Sequence, residues 1–172
     1  MSGVISEAGS KSGIIPQVAC MDHWSLTNNA TGNATPLSGW TRHGGTGAGG
    51  LGALVTESSG VFTLPMKGLW LIVWVQNYNH TADSRYIEGV IQDNSTGSWE
   101  TRTYHYTNLR VASSTWYTGC TSQYVFNCDS TSHQVRFTQS AGASVTTMSG
   151  VTGNQLHFTL LNPHQGQMLT RS

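Results

Sequence analysis

An all-β fold, a jelly-roll β-sandwich preceded by an extended N-terminal arm, is what this 172-residue sequence predicts. Short runs of β-branched and aromatic residues recur along the chain, bounded by Gly, Asn and Ser clusters, which is the punctuation of strands and tight turns. Several runs alternate apolar and polar side chains with the two-residue period of a strand that has one face in a core. No segment carries an apolar stripe at helical spacing beyond two turns. The length suits one domain with a full-sized core.

Residues 1–16 form the arm: Gly, Ser and Lys dominate, with isolated Val4, Ile5, Ile14 and Ile15. Such a segment cannot pack on itself and is either disordered or docked on a partner. The sandwich occupies residues 17–172, with a first strand over Val18 to Leu26. Asn28 to Ser38 reads as a loop, and Gly44 to Gly52, with six glycines, as a flexible loop or an unusual turn. The Lys-Ser/Thr and helix that a phosphate-binding loop needs are missing after it. Val61 to Leu64 is a short strand, Pro65-Met66-Lys67-Gly68 a turn, and Leu69 to Val75 a central strand apolar on both faces, bounded by Asn77 to Asn79. Arg85 to Gln92, Trp99 to Tyr106, Ser122 to Asn127, His133 to Gln139 and Gln155 to Leu161 complete the set. Alternation is clearest at Val135 and Phe137 and at Leu156, Phe158 and Leu160.

Composition excludes several functions. Charged residues are 9% of the chain and the formal net charge is zero, against about 25% charged in an ordinary domain. Such a surface suits association with copies or neighbours. No two basic residues are adjacent, so the clustered basic face that nucleic acid requires is missing. The longest apolar run, Leu69 to Val75, is too short to span a bilayer, and the N-terminus has no export-signal pattern. Three cysteines, Cys20, Cys120 and Cys128, fit free thiols better than a disulfide framework, although Cys120 and Cys128 have hairpin spacing.

Gly60-x-Phe62-x-x-Pro65-x-x-Gly68-x-Trp70-x-Ile72 resembles the core motif of the tumour-necrosis-factor and complement globular-head superfamily. Trp70 stands where Tyr is usual and Ile72 where an aromatic is usual. The closing run Leu156-His157-Phe158-Thr159-Leu160-Leu161 is similar to that family's last strand, whereas Ser132-His133 replaces its usual Gly-Asp step. The likeness extends over residues 18 to 162. It implies a threefold assembly with apolar and aromatic residues along the axis, for which Trp70, Ile72, Trp74 and Phe158 are the candidates. The competing reading makes both faces of the central strand ordinary core. The leader Gly9-Ser10-Lys11-Ser12-Gly13-Ile14-Ile15 resembles those of structural proteins of tailed bacteriophages, with Pro16 replacing their final Gly. That likeness implies a virion protein made in the host cytoplasm. The arm, through Ile5, Lys11, Ile14 and Ile15, would hold it to a major capsid protein or a tail or fibre protein.

Catalytic patterns are weak. Asp22 and His23 are adjacent and so point to opposite faces of a strand. The seven histidines show no HxH or HExxH spacing, and His157 in the closing strand suggests only a ring about a symmetry axis. No Gly-x-Ser-x-Gly elbow occurs, Cys120 lacks a partner motif, and no two carboxylates are singled out. Asp93 to Gly97 reads as a turn, not a calcium loop. The sequence therefore predicts no enzyme, cofactor or metal site. Tyr104, Tyr106, Trp116 and Tyr117 are the surface-contact candidates, placed near turns and suited to a protein or a host glycan. The expected function is a trimeric capsid decoration protein. The alternative is the receptor-binding head of a tail fibre or spike, with Asn28 to Gly52 and Tyr104 to Cys120 as its distal loops.

Overall fold

The corner between Gly60 and Gly68 organises the chain. In the computed structural model, which describes residues 20–44, 49–80, 84–110, 116–142, 145–150 and 153–163, Gly60 has a φ of 84°. A side chain there would strike the Leu37 carbonyl and the Pro36 ring, so only glycine fits. Phe62 then enters the core between Trp24, Trp40, Phe137 and Phe158.

Thirteen strands are described. They are β1 (Cys20–Leu26), β2 (Ala30–Thr31), β3 (Trp40–Arg42), β4 (Gly50–Gly52), β5 (Thr56–Ser58), β6 (Val61–Thr63), β7 (Gly68–His80), β8 (Ser84–Asp93), β9 (Glu100–Leu109), β10 (Trp116–Cys128), β11 (Gln134–Ala141), β12 (Thr146–Thr147) and β13 (Gln155–Pro163). One sheet has eight strands, running β2-β12-β7-β13-β1-β3 with β10 on β7 and β4 on β1; the other has five, β5-β6-β11-β8-β9. Every pairing is antiparallel. The two sheets face each other as a jelly roll, and no helix occurs among the described residues. The arm, with Ile5, Lys11, Ile14 and Ile15, lies outside the described residues.

Several expectations are corrected. The central strand does not stop before Asn77. It continues to His80, because Gln76 and Tyr78 are fully buried and satisfy each other: Tyr78 Oη donates to Gln76 Oε1 at 2.6 Å, and Gln76 Nε2 donates to Ser122 Oγ at 2.8 Å. A polar pair that closes its own hydrogen bonds can continue a core strand. Tyr104 to Cys120 is not a distal loop over its described residues. Tyr104 and Tyr106 lie within β9, and Trp116, Tyr117 and Cys120 within β10. Gly50 to Gly52 is likewise drawn into a strand by pairing with β1.

Trp70, Ile72, Trp74 and Phe158 are each 0% exposed, which withdraws them from any contact with a neighbour. They point between the sheets, where Trp74 and Phe158 meet Phe137 edge-on. Indole rings fill the space between two sheets better than Leu or Val, and their N–H groups find acceptors at hand. Trp70 Nε1 donates to the Met66 carbonyl at 3.0 Å and Trp74 Nε1 to Asn154 Oδ1 at 3.1 Å. At about 25 cal/mol per Å² of apolar surface removed from water, each such ring contributes several kcal/mol before entropic costs.

Two buried aspartates gather donors from neighbouring elements. Asp22 on β1 accepts Nε and Nη2 of Arg42 and the backbone N–H of Val55. Asp93 on β8 accepts Arg102 Nε at 2.7 Å, Ser95 Oγ at 2.7 Å and, from the facing sheet, Tyr124 Oη at 2.7 Å. Burial works to raise the Asp93 pKa, but the donors led by Arg102 outweigh it and hold the carboxyl at about 2.

Candidate functional site

The outward positions of the eight-stranded sheet form an unusual surface. Strand alternation turns Met21 and His23 outward on β1. On β13 it does the same for Gln155, His157, Thr159 and Leu161, on β7 for Leu69, Leu71, Val73 and Val75, and on β10 for Thr121, Gln123, Val125 and Asn127. None of these is Asp, Glu, Lys or Arg. Strand register sets the apolar ones in a row through Thr159. Leu51 pairs with Met21, Met21 with Thr159, Thr159 with Leu71, and Leu71 with Val125. Leu51, Val125, Met21 and Leu161 remain 55%, 52%, 46% and 44% exposed. Contiguous exposed apolar surface of this kind marks a contact site more often than chance scatter does.

Beside this row lies a stack of three imidazoles. His23 pairs in register with His157, and their ring centroids lie 4.2 Å apart at an interplanar angle of 17°. His43, just beyond β3, stacks on the other side of His23 at 4.9 Å and 29°. The rings border a cavity of about 460 Å³, lined also by Met21, Gly50, Leu51 and Thr159. The backbone N–H of His43 donates to the His23 carbonyl at 2.8 Å, which fixes the third ring on the strand. Asp22 is 2% exposed and points the other way, toward Arg42, so it is no acid–imidazole partner for His23.

The outer face of the five-stranded sheet differs. Tyr86, Tyr104 and Tyr106 are each more than half exposed, and Tyr104 and Tyr106 meet edge-on at 5.2 Å. Register sets Tyr106 opposite Glu88 and Tyr104 opposite Val90, and Tyr106 Oη donates to Glu88 Oε1 at 3.2 Å. Nearby, the Arg136 guanidinium lies 4.3 Å over the Trp99 ring. The four aromatic candidates therefore divide. Tyr104 and Tyr106 share this face with Tyr86, which the sequence did not single out, whereas Trp116 and Tyr117 are exposed on β10 of the other sheet.

The cysteines are chemically quiet. All three are free. Cys120 and Cys128 lie on one strand, too far apart along it to bridge. Burial pushes the thiols of Cys20 and Cys128 up to about 11 and that of Cys120 up to about 12, so none offers a thiolate near neutral pH. No cluster of three or more His, Cys, Asp or Glu is arranged to hold a metal among the described residues.

The fold resembles solved structures despite low sequence identity. Murine APRIL at pH 5.0 matches with a TM-score of 0.59 at 16% identity, over 83% of this chain and 98% of that one. Eiger TNF from S. frugiperda matches with a TM-score of 0.60 at 16% identity, over 82% of this chain and 91% of that one. Likeness at this identity establishes a TNF-like jelly roll and nothing about activity. No protein-family model matches the chain, and no curated protein does.

Proposed function

We propose that this chain is a non-catalytic structural module that assembles into a homotrimer through the outer face of its eight-stranded sheet. On the surface of a bacteriophage particle its N-terminal arm would hold it to the capsid. The observation that carries the assembly is the uncharged apolar row Leu51, Met21, Leu71 and Val125. Covering a half-exposed aliphatic side chain contributes about 1 kcal/mol, and each copy brings several. The TNF-like fold supports a threefold arrangement of these faces. The phage setting rests on the leader Gly9 to Ile15 and its likeness to virion proteins. Three arms on one trimer raise the effective concentration of each capsid contact, so weak single contacts become durable.

A second reading, a receptor-binding head, draws on the exposed Tyr86, Tyr104 and Tyr106, whose ring faces suit stacking on a sugar or packing against a protein. Deleting residues 1–16 tests both. A decoration protein keeps its trimer mass in sedimentation and loses binding to undecorated capsids. A receptor-binding head keeps binding to host cells. A monomeric full-length chain overturns the assembly reading.

A further inference from the structure

We infer that the stacked histidines His43, His23 and His157 are a proton-operated release for the self-association face. Neutral, they lie beneath a neighbouring copy; charged, they drive it off. The inference deepens the assembly reading above and rests on it.

Geometry carries the argument. The middle ring has an imidazole on each side, at 4.9 and 4.2 Å. Neutral imidazoles stack comfortably at such distances, whereas imidazolium ions repel, the more so when water is removed. His23 Nε2 is buried and makes no hydrogen bond of its own, so a charge on this ring is eased only by the weaker opposing help of Gln155 and Asp22. The rings border the cavity beside the apolar row, at Met21, Leu51 and Thr159. A copy covering that row covers them too and takes away the water that would solvate the charge.

The surroundings offer little compensation. From β1, Asp22 is the nearest carboxylate, but it lies on the inner side and is engaged by Arg42. Arg42 on β3 is engaged in that pair. From β13 the neighbours are neutral: Gln155, which hydrogen-bonds the His23 ring, and Thr159. From β4 they are Gly50 and Leu51, and from β7 Val73. The titration follows this environment. Burial lowers the His23 pKa and the charge of His43 lowers it further, with Gln155 and Asp22 opposing. Burial and then His23 lower that of His157. A metal is a poorer occupant than a proton, because stacked rings aim their lone pairs side by side instead of converging on one point.

The sign follows from linkage. The assembled state holds the rings neutral, so it binds fewer protons than the separated copies. Association is at full strength at and above the ordinary histidine value of about 6.5 and weakens as pH falls through the lowered values that His23 and His157 have in the separated copy.

Sedimentation velocity of the full chain from about pH 7.5 to about pH 4.5 at constant ionic strength, with circular dichroism in parallel, reads this directly. The expected result is a trimer near neutrality whose association weakens in acid by about tenfold per pH unit for each proton that a separating subunit takes up, with the β spectrum retained. A double variant, His23→Gln with His157→Gln, should hold its trimer across the range. A trimer whose association moves less than about threefold overturns the switch alone, as does a double variant that dissociates in acid like the parent. Dissociation that tracks loss of the β spectrum in both proteins also overturns it. A chain monomeric at neutral pH overturns the assembly reading and the switch together.

Discussion

The two sheets share one core but present opposite outer faces. On the five-stranded sheet the large groups are already held within the face. Arg136 lies on Trp99 and its Nε donates to Gln92 Oε1 at 2.8 Å, and Tyr106 bonds Glu88. Formal charges of both signs stand among the tyrosines. On the eight-stranded sheet the outward positions of β1, β7, β10 and β13 carry no formal charge, and the aliphatic side chains have only one another. A lone soluble sheet blunts such a face with Lys or Glu. The difference teaches that low overall charge is not spread evenly here. It is concentrated as a bare face on one side, which a second copy would cover.

The largest break of this contrast is to place charge on the bare face. Leu71 and Val125 are opposed in register, and neither is needed by the inner core. Changing both to Glu should weaken trimer association by about a thousandfold, roughly 4 kcal/mol, while the melting temperature of the separated subunit moves little. Thr101→Glu, at an exposed position on β9 of the five-stranded sheet, is the control and should leave the mass unchanged. Equal loss in both variants would mean that the two faces do not differ in role.

Arg102→Ala sharpens the contrast from inside, at the edge where the sheets are joined. Asp93 is 0% exposed, and losing Arg102 leaves its carboxylate with Tyr124 and Ser95 alone. A loss of about 3 kcal/mol in urea unfolding is expected, with assembly unaffected wherever the subunit remains folded. The same group sets an acid limit. Its carboxyl is held at about 2, against an ordinary 3.8, so its contribution is full above 3.8 and is lost as pH falls toward 2. In the parent chain acid unfolding should therefore fall well below the window of histidine-driven dissociation. In Arg102→Ala the Asp93 value rises and that part of the slope moves up with it. An unchanged acid midpoint would count against Asp93 as the responsible group.

Much of this architecture was legible in the sequence. Gly60, Pro65 and Gly68 marked a corner that only turn chemistry explains, and period-two runs such as Leu156, Phe158 and Leu160 point inward as alternation requires. The faces of β7 were not legible, because Leu69 to Val75 is apolar at every position and periodicity is silent there. Side-chain volume decides: tryptophans go where space between sheets must be filled, and Leu and Val remain outside. The first half of β10 was also missed. Tyr104 to Cys120 reads as loop because Thr, Ser, Asn and Tyr dominate it and its aliphatic residues, Leu109, Val111 and Ala112, cluster just before Ser113, Ser114 and Thr115. The histidine stack was beyond reach, since His23, His43 and His157 meet only once β1 pairs with β13 and with β3. The one available signal was that both His23 and His157 occupy polar positions of alternating strands.

The smallest expected effect concerns the tyrosine face. Tyr104 and Tyr106 are 59% and 56% exposed, so most of each ring remains in water in the folded chain. Their edge-on contact and the bond to Glu88 contribute little there, because exposed pairs compete with solvent. Replacing both by Ser should cost less than about 1 kcal/mol in urea unfolding and leave the trimer mass unchanged. If this face recognises a glycan or a protein, binding of the trimer to host cells should fall by about tenfold or more, since an exposed aromatic on a rigid strand is the residue type that anchors such contacts. A stability loss above about 2 kcal/mol would instead make the tyrosines part of the fold. Unchanged cell binding would leave the decoration reading as the sole account of the molecule.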